Sequence, residues 1–357
     1  MKNLSKILIA SLLCLSMTAC STDSTVGAEE TSETTTEETK KESVAGVIWY
    51  NFGDTFIANA RKSVNKAAED DGQVSITDAD SLGDVAVQTS NINNMYTQGV
   101  DYLVVNNINT NAITEMVQDA KDHETPIIFA NTNSPSEEDF ENFDDAWHVS
   151  SVADQSGTII GELVAEYWEE HPEADRNGNG KLDYVMLLGL QDHYDTQARA
   201  KYSIEAIEAA GIETSLLQEE ICNYQRNQAQ DKMNTILQAN KDNVEAVIAC
   251  NDDMALGAIE ALKAVGFYEE DSEYIPVVGV DASVVGCESI KEGLMLGSAL
   301  NNPVTLGNSI YNLIKLIDSN EEVTNESIGV DGVTVDGHHI YIDYIGITKD
   351  NLEEAEY

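Results

Sequence analysis

The chain has 357 residues, enough for two domains of ordinary size that each bury a core of their own. Its 19 basic and 64 acidic residues leave a net charge of −45, which repels nucleic acid and anionic lipid head groups, so nucleic-acid binding is set aside. Such acidity also suits a solvated surface, and that accounts for most of the carboxylates without any functional role.

Residues 1–20, MKNLSKILIASLLCLSMTAC, place Lys2 and Lys6 before a short apolar run from Ile7 to Met17, then small residues ahead of Cys20. This is the layout of a secretory signal, and the apolar run is too short to span a bilayer as a helix. Met17-Thr18-Ala19-Cys20 resembles the lipobox of bacterial lipoproteins, with Met17 where Leu is usual. The resemblance implies lipidation of Cys20 and an extracytoplasmic chain anchored to the bacterial cell membrane only through that lipid. Residues 21–43 are mostly Thr, Ser and Glu with little to bury, the composition of a disordered tether. Cys222, Cys250 and Cys287 are too widely spaced for a disulfide framework or a zinc site.

From Val44 the sequence alternates regularly. VAGVIWY, QVSIT, YLVVNN, PIIFAN, YVMLLG, VEAVIAC and IPVVGVD read as strands buried on both faces. Amphipathic helices lie between them: TFIANARKSVNKAAEDD with Ile57, Ala60, Val64 and Ala67 at helical spacing, NAITEMVQDAKDH, and DDMALGAIEALKAVG closed by Gly266. Units repeated this often exceed one sheet. The fold class expected is α/β, with two doubly wound, Rossmann-like lobes of parallel sheet.

In open α/β sheets ligands sit outside the carboxyl ends of the strands. The residues just past the apolar runs are Asp54 and Phe56, Asn106 and Asn107, Asn131, then His193, Asp195 and Arg199, Asn251 and Asp252, Asp281, and Asn301. They are amides, carboxylates, one arginine and aromatics, with no nucleophile. Asp, Asn and Arg engage hydroxyls in pairs while aromatic rings cover C–H faces, so the set suits a sugar. Each Asn or Asp also stands where it could cap a helix, which is the plainer reading of any one of them.

The segments GDTF, HYDTQAR, ACNDDMALGAIEALKAVG, VVGVDA and YIGITKDNL are similar to those of galactose/glucose-binding proteins, within the type I periplasmic binding proteins that serve ABC transporters. The resemblance runs from Val44 to Leu352. It implies that Asp54, Asn106, His193, Asp195, Arg199, Asn251, Asp281 and Asn301 bind hydroxyls and that Phe56 stacks on one sugar face. Tyr224 stands where the family has Trp for the other face, and Asp54 sits where the family's Asp accepts the C4 hydroxyl of either galactose or glucose. It further implies a monomer that closes on a monosaccharide in the interlobe cleft and delivers it to a membrane permease, as some relatives also do to a chemoreceptor. The chain would cross between lobes near 125–131, 300–303 and 341–344. One lobe is then 44–126 with 302–341 and the other 127–301 with 342–357.

Two other classes are open to the same residues. A secreted glycoside-acting enzyme could use Asp54, Asp195 and Asp281 beside His193, given two carboxyls flanking the bond to be cut. A sugar-sensing receptor domain of a repressor would need a DNA-binding segment before residue 44, where a signal and tether stand instead.

DRNGNGKLDYV, residues 175–185, begins like a calcium-binding loop, yet its twelfth position is Met186 rather than Glu. The resemblance implies a composite structural Ca²⁺ site, with Asp175, Asn177, Asn179, the Lys181 backbone carbonyl and Asp183 closed by a distant Glu245. Asn179 stands for the family's Asp and Asp183 for its Gln, so three carboxylates are retained. A run of Asn-Gly turns is the simpler reading.

Overall fold

A computed structural model describes residues 43–131, 133–269 and 273–356. The signal peptide, Cys20 and all of the tether except Ser43 lie outside the described residues. Ser43 itself already belongs to the first strand.

The chain opens with β1 (Ser43–Trp49), α1 (Thr55–Asp71), β2 (Val74–Asp80), α2 (Val85–Gln98), β3 (Tyr102–Val105), α3 (Ile113–Asp122), β4 (Ile127–Ala130), α4 (Glu137–Asn142) and β5 (Ala146–Ser151). It continues through α5 (Ala153–Glu170), β6 (Leu182–Leu188), α6 (Tyr194–Ala209), β7 (Thr214–Ile221), α7 (Arg226–Asn240), β8 (Ala246–Ala249), α8 (Asp252–Ala264), β9 (Val277–Val280), α9 (Val284–Lys291) and β10 (Gly297–Leu300). It closes with α10 (Pro303–Ser319), α11 (Asn325–Ile328), β11 (Val333–Asp336), β12 (His339–Ile342) and β13 (Ile345–Ile347).

These strands form two sheets within one compact unit, residues 42–357. The first runs β11-β12-β5-β4-β3-β1-β2 and is parallel except for β11 against β12. The second runs β13-β10-β9-β8-β6-β7 and is parallel except for β13 against β10. The core orders β2-β1-β3-β4-β5 and β7-β6-β8-β9-β10 repeat one topology, so each lobe reverses its strand order at one place, β1/β3 and β6/β8. The two doubly wound lobes are as the sequence predicts.

Each sheet is covered on both faces, which explains the nearly continuous apolar runs of its central strands. In the first lobe Ala45, Val47 and Trp49 pack with Ile57 and Val64 of α1 and Leu306 and Ile310 of α10. Ile48, from the opposite face, meets Ile92 and Met95 of α2 and Val117 of α3. In the second lobe Val185 and Leu187 pack against α7 and α8, and Met186 against α5 and α6. Fully burying one such side chain contributes about 1.5–3 kcal/mol. The helix pair α5/α6 approaches closely because Gly161 has no side chain, and a Cβ there would overlap the Ser203 carbonyl oxygen.

The lobe boundaries need one correction. β4 pairs with β3 on one side and β5 on the other, so residues 127–151 belong to the first lobe. The first crossing therefore lies at 151–153, not at 125–131, because the chain adds one more strand-helix-strand unit before leaving. The other two crossings fall at 300–303 and 342–345, close to the expected places. The three segments are bonded to one another. Ser151 Oγ donates to Asn301 Oδ1 at 2.7 Å, Val152 N to Ile342 O at 3.2 Å, and Gln155 Nε2 to Asp343 Oδ1 at 3.0 Å.

Candidate functional site

A cavity lies where the reversal points of the two sheets meet, the place where open α/β sheets hold their ligands. All ten residues expected to touch a sugar line it: Asp54, Phe56, Asn106, His193, Asp195, Arg199, Tyr224, Asn251, Asp281 and Asn301. Tyr50, Ile57 and Asn131 complete the wall. Asn131 also stood in the sequence as a residue past a strand. Tyr50 and Ile57 did not, although Tyr50 directly follows the last residue of β1, the position where the strand-end rule looks.

In the first lobe the polar groups are tied to their own scaffold. Asp54 caps α1, Oδ1 accepting from Ile57 N at 3.0 Å, while Oδ2 accepts from the Tyr50 hydroxyl. Capping and cavity lining are thus one role. Burial pushes the Asp54 carboxyl above its usual range, although the Tyr50 and Ile57 bonds pull it back. Asn106 donates through Nδ2 to Ala130 O and Asn131 O, both at 2.9 Å, and accepts Tyr50 N at 3.2 Å. It stitches the ends of β1, β3 and β4 together and keeps little free hydrogen-bonding capacity.

The second lobe carries charge and unmet bonding. Arg199 donates to Cys250 O at 2.8 Å and Tyr344 Oη at 3.0 Å, and lies 3.4 Å from Asp195 Oδ1. Its contact with Tyr344 links the cavity to the third crossing. Arg199 Nε and His193 Nε2 are buried without hydrogen-bond partners among the described residues. Burial holds His193 below the usual imidazole range, so the ring is neutral at pH 7. Asp281 has φ of 110°, a strained backbone for any residue but glycine, and its carboxylate has no protein hydrogen bond among the described residues. Burial raises its pKa well above the ordinary value, with Arg199 opposing. Buried polar groups without partners are uncommon in folded proteins, and two of the eight such side-chain atoms among the described residues, on Arg199 and His193, lie on the cavity wall.

Tyr224 sits at φ of 61° with its hydroxyl 2.7 Å from Thr196 Oγ1. Its ring fills the space above Gly189, where a Cβ would collide with the ring atoms, so that glycine is required for the wall. Asn251 caps α8 through Oδ1, 3.0 Å from Met254 N, and Nδ2 donates to Tyr224 O at 3.3 Å. Beside it, Asp252 is 1% exposed and accepts from Ser283 N, Ser283 Oγ and Ser298 Oγ at 2.7, 2.9 and 2.6 Å. Burial pushes its carboxyl up to about 6. Asn301 donates to Asn131 Oδ1 at 3.2 Å from the second crossing. Across the cleft, Thr55 Oγ1 donates to Asp253 Oδ2 at 2.6 Å and Tyr194 N to Asn133 Oδ1 at 3.2 Å, so the lobes meet on both sides of the cavity.

A second constellation lies in the 175–183 loop. Asp175 accepts from the N–H groups of Asn179 and Gly180, both at 3.0 Å, Asn177 Oδ1 accepts Asn179 N at 3.0 Å, and Asn179 Oδ1 accepts Lys181 N at 2.7 Å. Glu245 closes the loop from the start of β8. Oε1 accepts Arg176 N at 2.8 Å and Oε2 accepts Asp183 N at 2.8 Å. The amides of Asn177 and Asn179 converge on Asp183 Oδ2 at 2.7 and 2.6 Å. The cations of the loop turn away, Arg176 to Glu273 and Lys181 to Glu213. Among the described residues no group of three or more His, Cys, Asp or Glu is gathered as a metal cage. Here the donors are mixed, carboxylates with amide and backbone oxygens, and oxygen donors suit a hard cation.

Comparison with known proteins agrees with this architecture. The chain is 31% identical to the D-galactose/methyl-galactoside binding periplasmic protein MglB of Haemophilus influenzae over 308 residues, 86% of this chain and 90% of that protein. It is 26% identical to the ribose import binding protein RbsB of Bacillus subtilis, over 86% of this chain and 90% of that one. A solved structure of an ABC transporter solute binding protein from Bacillus halodurans, with bound myo-inositol, superposes with a TM-score of 0.72 at 24% identity, covering 88% of this chain and 96% of that one. The periplasmic binding protein domain family matches residues 45–321, and the chain belongs to that family.

Proposed function

We propose that the protein captures a monosaccharide, D-galactose or D-glucose, between its lobes and presents it to the permease of an ABC transporter. One observation carries this reading: polar side chains of both lobes line the cavity beside Phe56 and Tyr224, and two of them, Arg199 and His193, keep a buried nitrogen without a partner among the described residues. A hydroxyl-bearing ring supplies both donors and acceptors, and its C–H faces suit aromatic walls. Arg199 is the one arginine on a wall that also holds Asp54, Asp195 and Asp281, which favours a neutral sugar over an anionic one. Contacts made to both lobes favour the closed arrangement over an open one. The wall is rich in amides, which hold hydroxyls but transfer no protons, and the relatives named above are binding proteins rather than enzymes.

In the same reading the chain works outside the cytoplasm, exported by residues 1–20 and tethered through a lipid on Cys20. Among the described residues no helix is long and apolar enough to cross a membrane. A chemoreceptor is a second possible reader of the closed form. A thermal-shift screen of monosaccharides tests the assignment. Stabilisation by galactose or glucose is expected; a pentose or an unrelated solute shifting the melting point while both hexoses fail would overturn it. Release of reducing sugar from a glycoside would favour the hydrolase.

We also assign the loop of 175–183 to a structural calcium ion, held by Asp175, Asn177, Asn179, the Lys181 carbonyl, Asp183 and Glu245. Its support is the turn-by-turn winding of the loop and the closure by Glu245. Bound there, the ion would neutralise carboxylates that the loop's own cations do not face. Glu245→Gln should lower the melting temperature in calcium and not in chelator; equal losses in both would mean that no metal is held.

A further inference from the structure

The central cavity does not end at Tyr50, Asp54 and Tyr224. Those three residues also line a second space of about 360 Å³ at the mouth of the cleft. Its remaining wall includes Asn51, Asn223, Gln225, Arg226, Asn227 and Asp253. Four of these are side-chain amides, which both donate and accept, and Asp253 adds an acceptor already turned to the cleft at Thr55.

Several features mark this mouth as more than a solvent gap. Asn223 and Tyr224 are consecutive residues at φ of 52° and 61°, a left-handed turn at the junction of the two spaces that is uncommon for Tyr224. Asn227 makes no side-chain hydrogen bond among the described residues and stands exposed at the start of α7. The N-cap residue of this helix, Gln225, makes no side-chain cap bond to the first-turn N–H groups. The wall thus combines open donors with amide and carboxylate acceptors.

We infer that the cleft mouth is a second saccharide subsite, so that the ligand class extends from a monosaccharide to a disaccharide with one ring in the central cavity and the other against Asn227, Asn223 and Gln225. This rests on the saccharide reading of the central cavity. The link between the rings passes the Tyr50, Asp54 and Tyr224 wall, and the outer ring stays partly in water, so the inner ring dominates recognition.

Calorimetric titration of the full chain with D-galactose, D-glucose, lactose, melibiose, maltose and cellobiose tests this. At least one disaccharide should bind. Asn227→Ala should weaken it about three- to tenfold, the range for one lost hydrogen bond, and Asn227→Trp should fill the mouth and abolish it. Hexose affinity should stay within about twofold in both variants, since neither touches the inner ring. A hexose that binds while all the disaccharides fail overturns the subsite, as does a disaccharide indifferent to both variants. If no sugar of either size binds, the reading of the central cavity falls as well.

Discussion

The two lobes share one strand order and divide the work unequally. In the first, the polar residues at the sheet's reversal point are bound to their own backbone: Asn106 ties three strand ends, and Asp54 caps its helix. In the second, the equivalent place holds Arg199, His193 and Asp281, with unmet bonds and a strained φ. The same topology therefore gives one rim preformed by hydrogen bonds and another held poised by charge. A ligand that meets both would complete the second lobe and dock against the first.

That difference predicts where substitutions act. Arg199→Met should have the largest effect, about 3–5 kcal/mol of unfolding free energy, because it strands Asp195 and Asp281 without a counter-charge. Urea denaturation measures it; a loss under about 1 kcal/mol would mean the charged network is not what holds the second lobe. Asn106→Ala should lose less, about 2 kcal/mol, since water can replace part of its bonding at the strand ends. If it proved worse than Arg199→Met, the contrast between lobes would be reversed.

The smallest effect concerns pH. Asp252 has a folded-state pKa of about 6, above its unfolded value, so its buried charge opposes folding at pH 7. That opposition fades as pH falls through about 6 and is gone near the unfolded value of about 4. Relative to Asp252→Asn, the unsubstituted chain should gain stability between pH 7 and pH 5. Parallel profiles would show that Ser283 and Ser298 offset the desolvation of Asp252.

What the sequence made legible follows the same physics. The central strands are apolar on both faces, so they stand out, and the site follows them at their carboxyl ends. β5 does not stand out, because AWHVSS buries His148, Ser150 and Ser151 along with its apolar residues. β7 is an edge strand with Leu216 50% exposed and no apolar face to betray it. Asp54 and Asn251 each cap a helix and line the cavity at once, so a capping position does not count against a place on the cavity wall. Left-handed backbone at Tyr224 has no sequence signature, since tyrosine does not favour it. The fit of Gly189 beneath the Tyr224 ring is equally silent in the sequence, because it depends on a residue from another loop.

The central claim is that both lobes hold one sugar, and calorimetry on paired single variants tests it most directly. Galactose or glucose should bind the unsubstituted chain at a single site. Asp54→Ala in the first lobe and Asp281→Ala in the second should each weaken that binding by about tenfold or more, the loss expected for a hydrogen bond to a charged group. Undiminished affinity in either variant would contradict the account, because the sugar would then be held by one lobe alone.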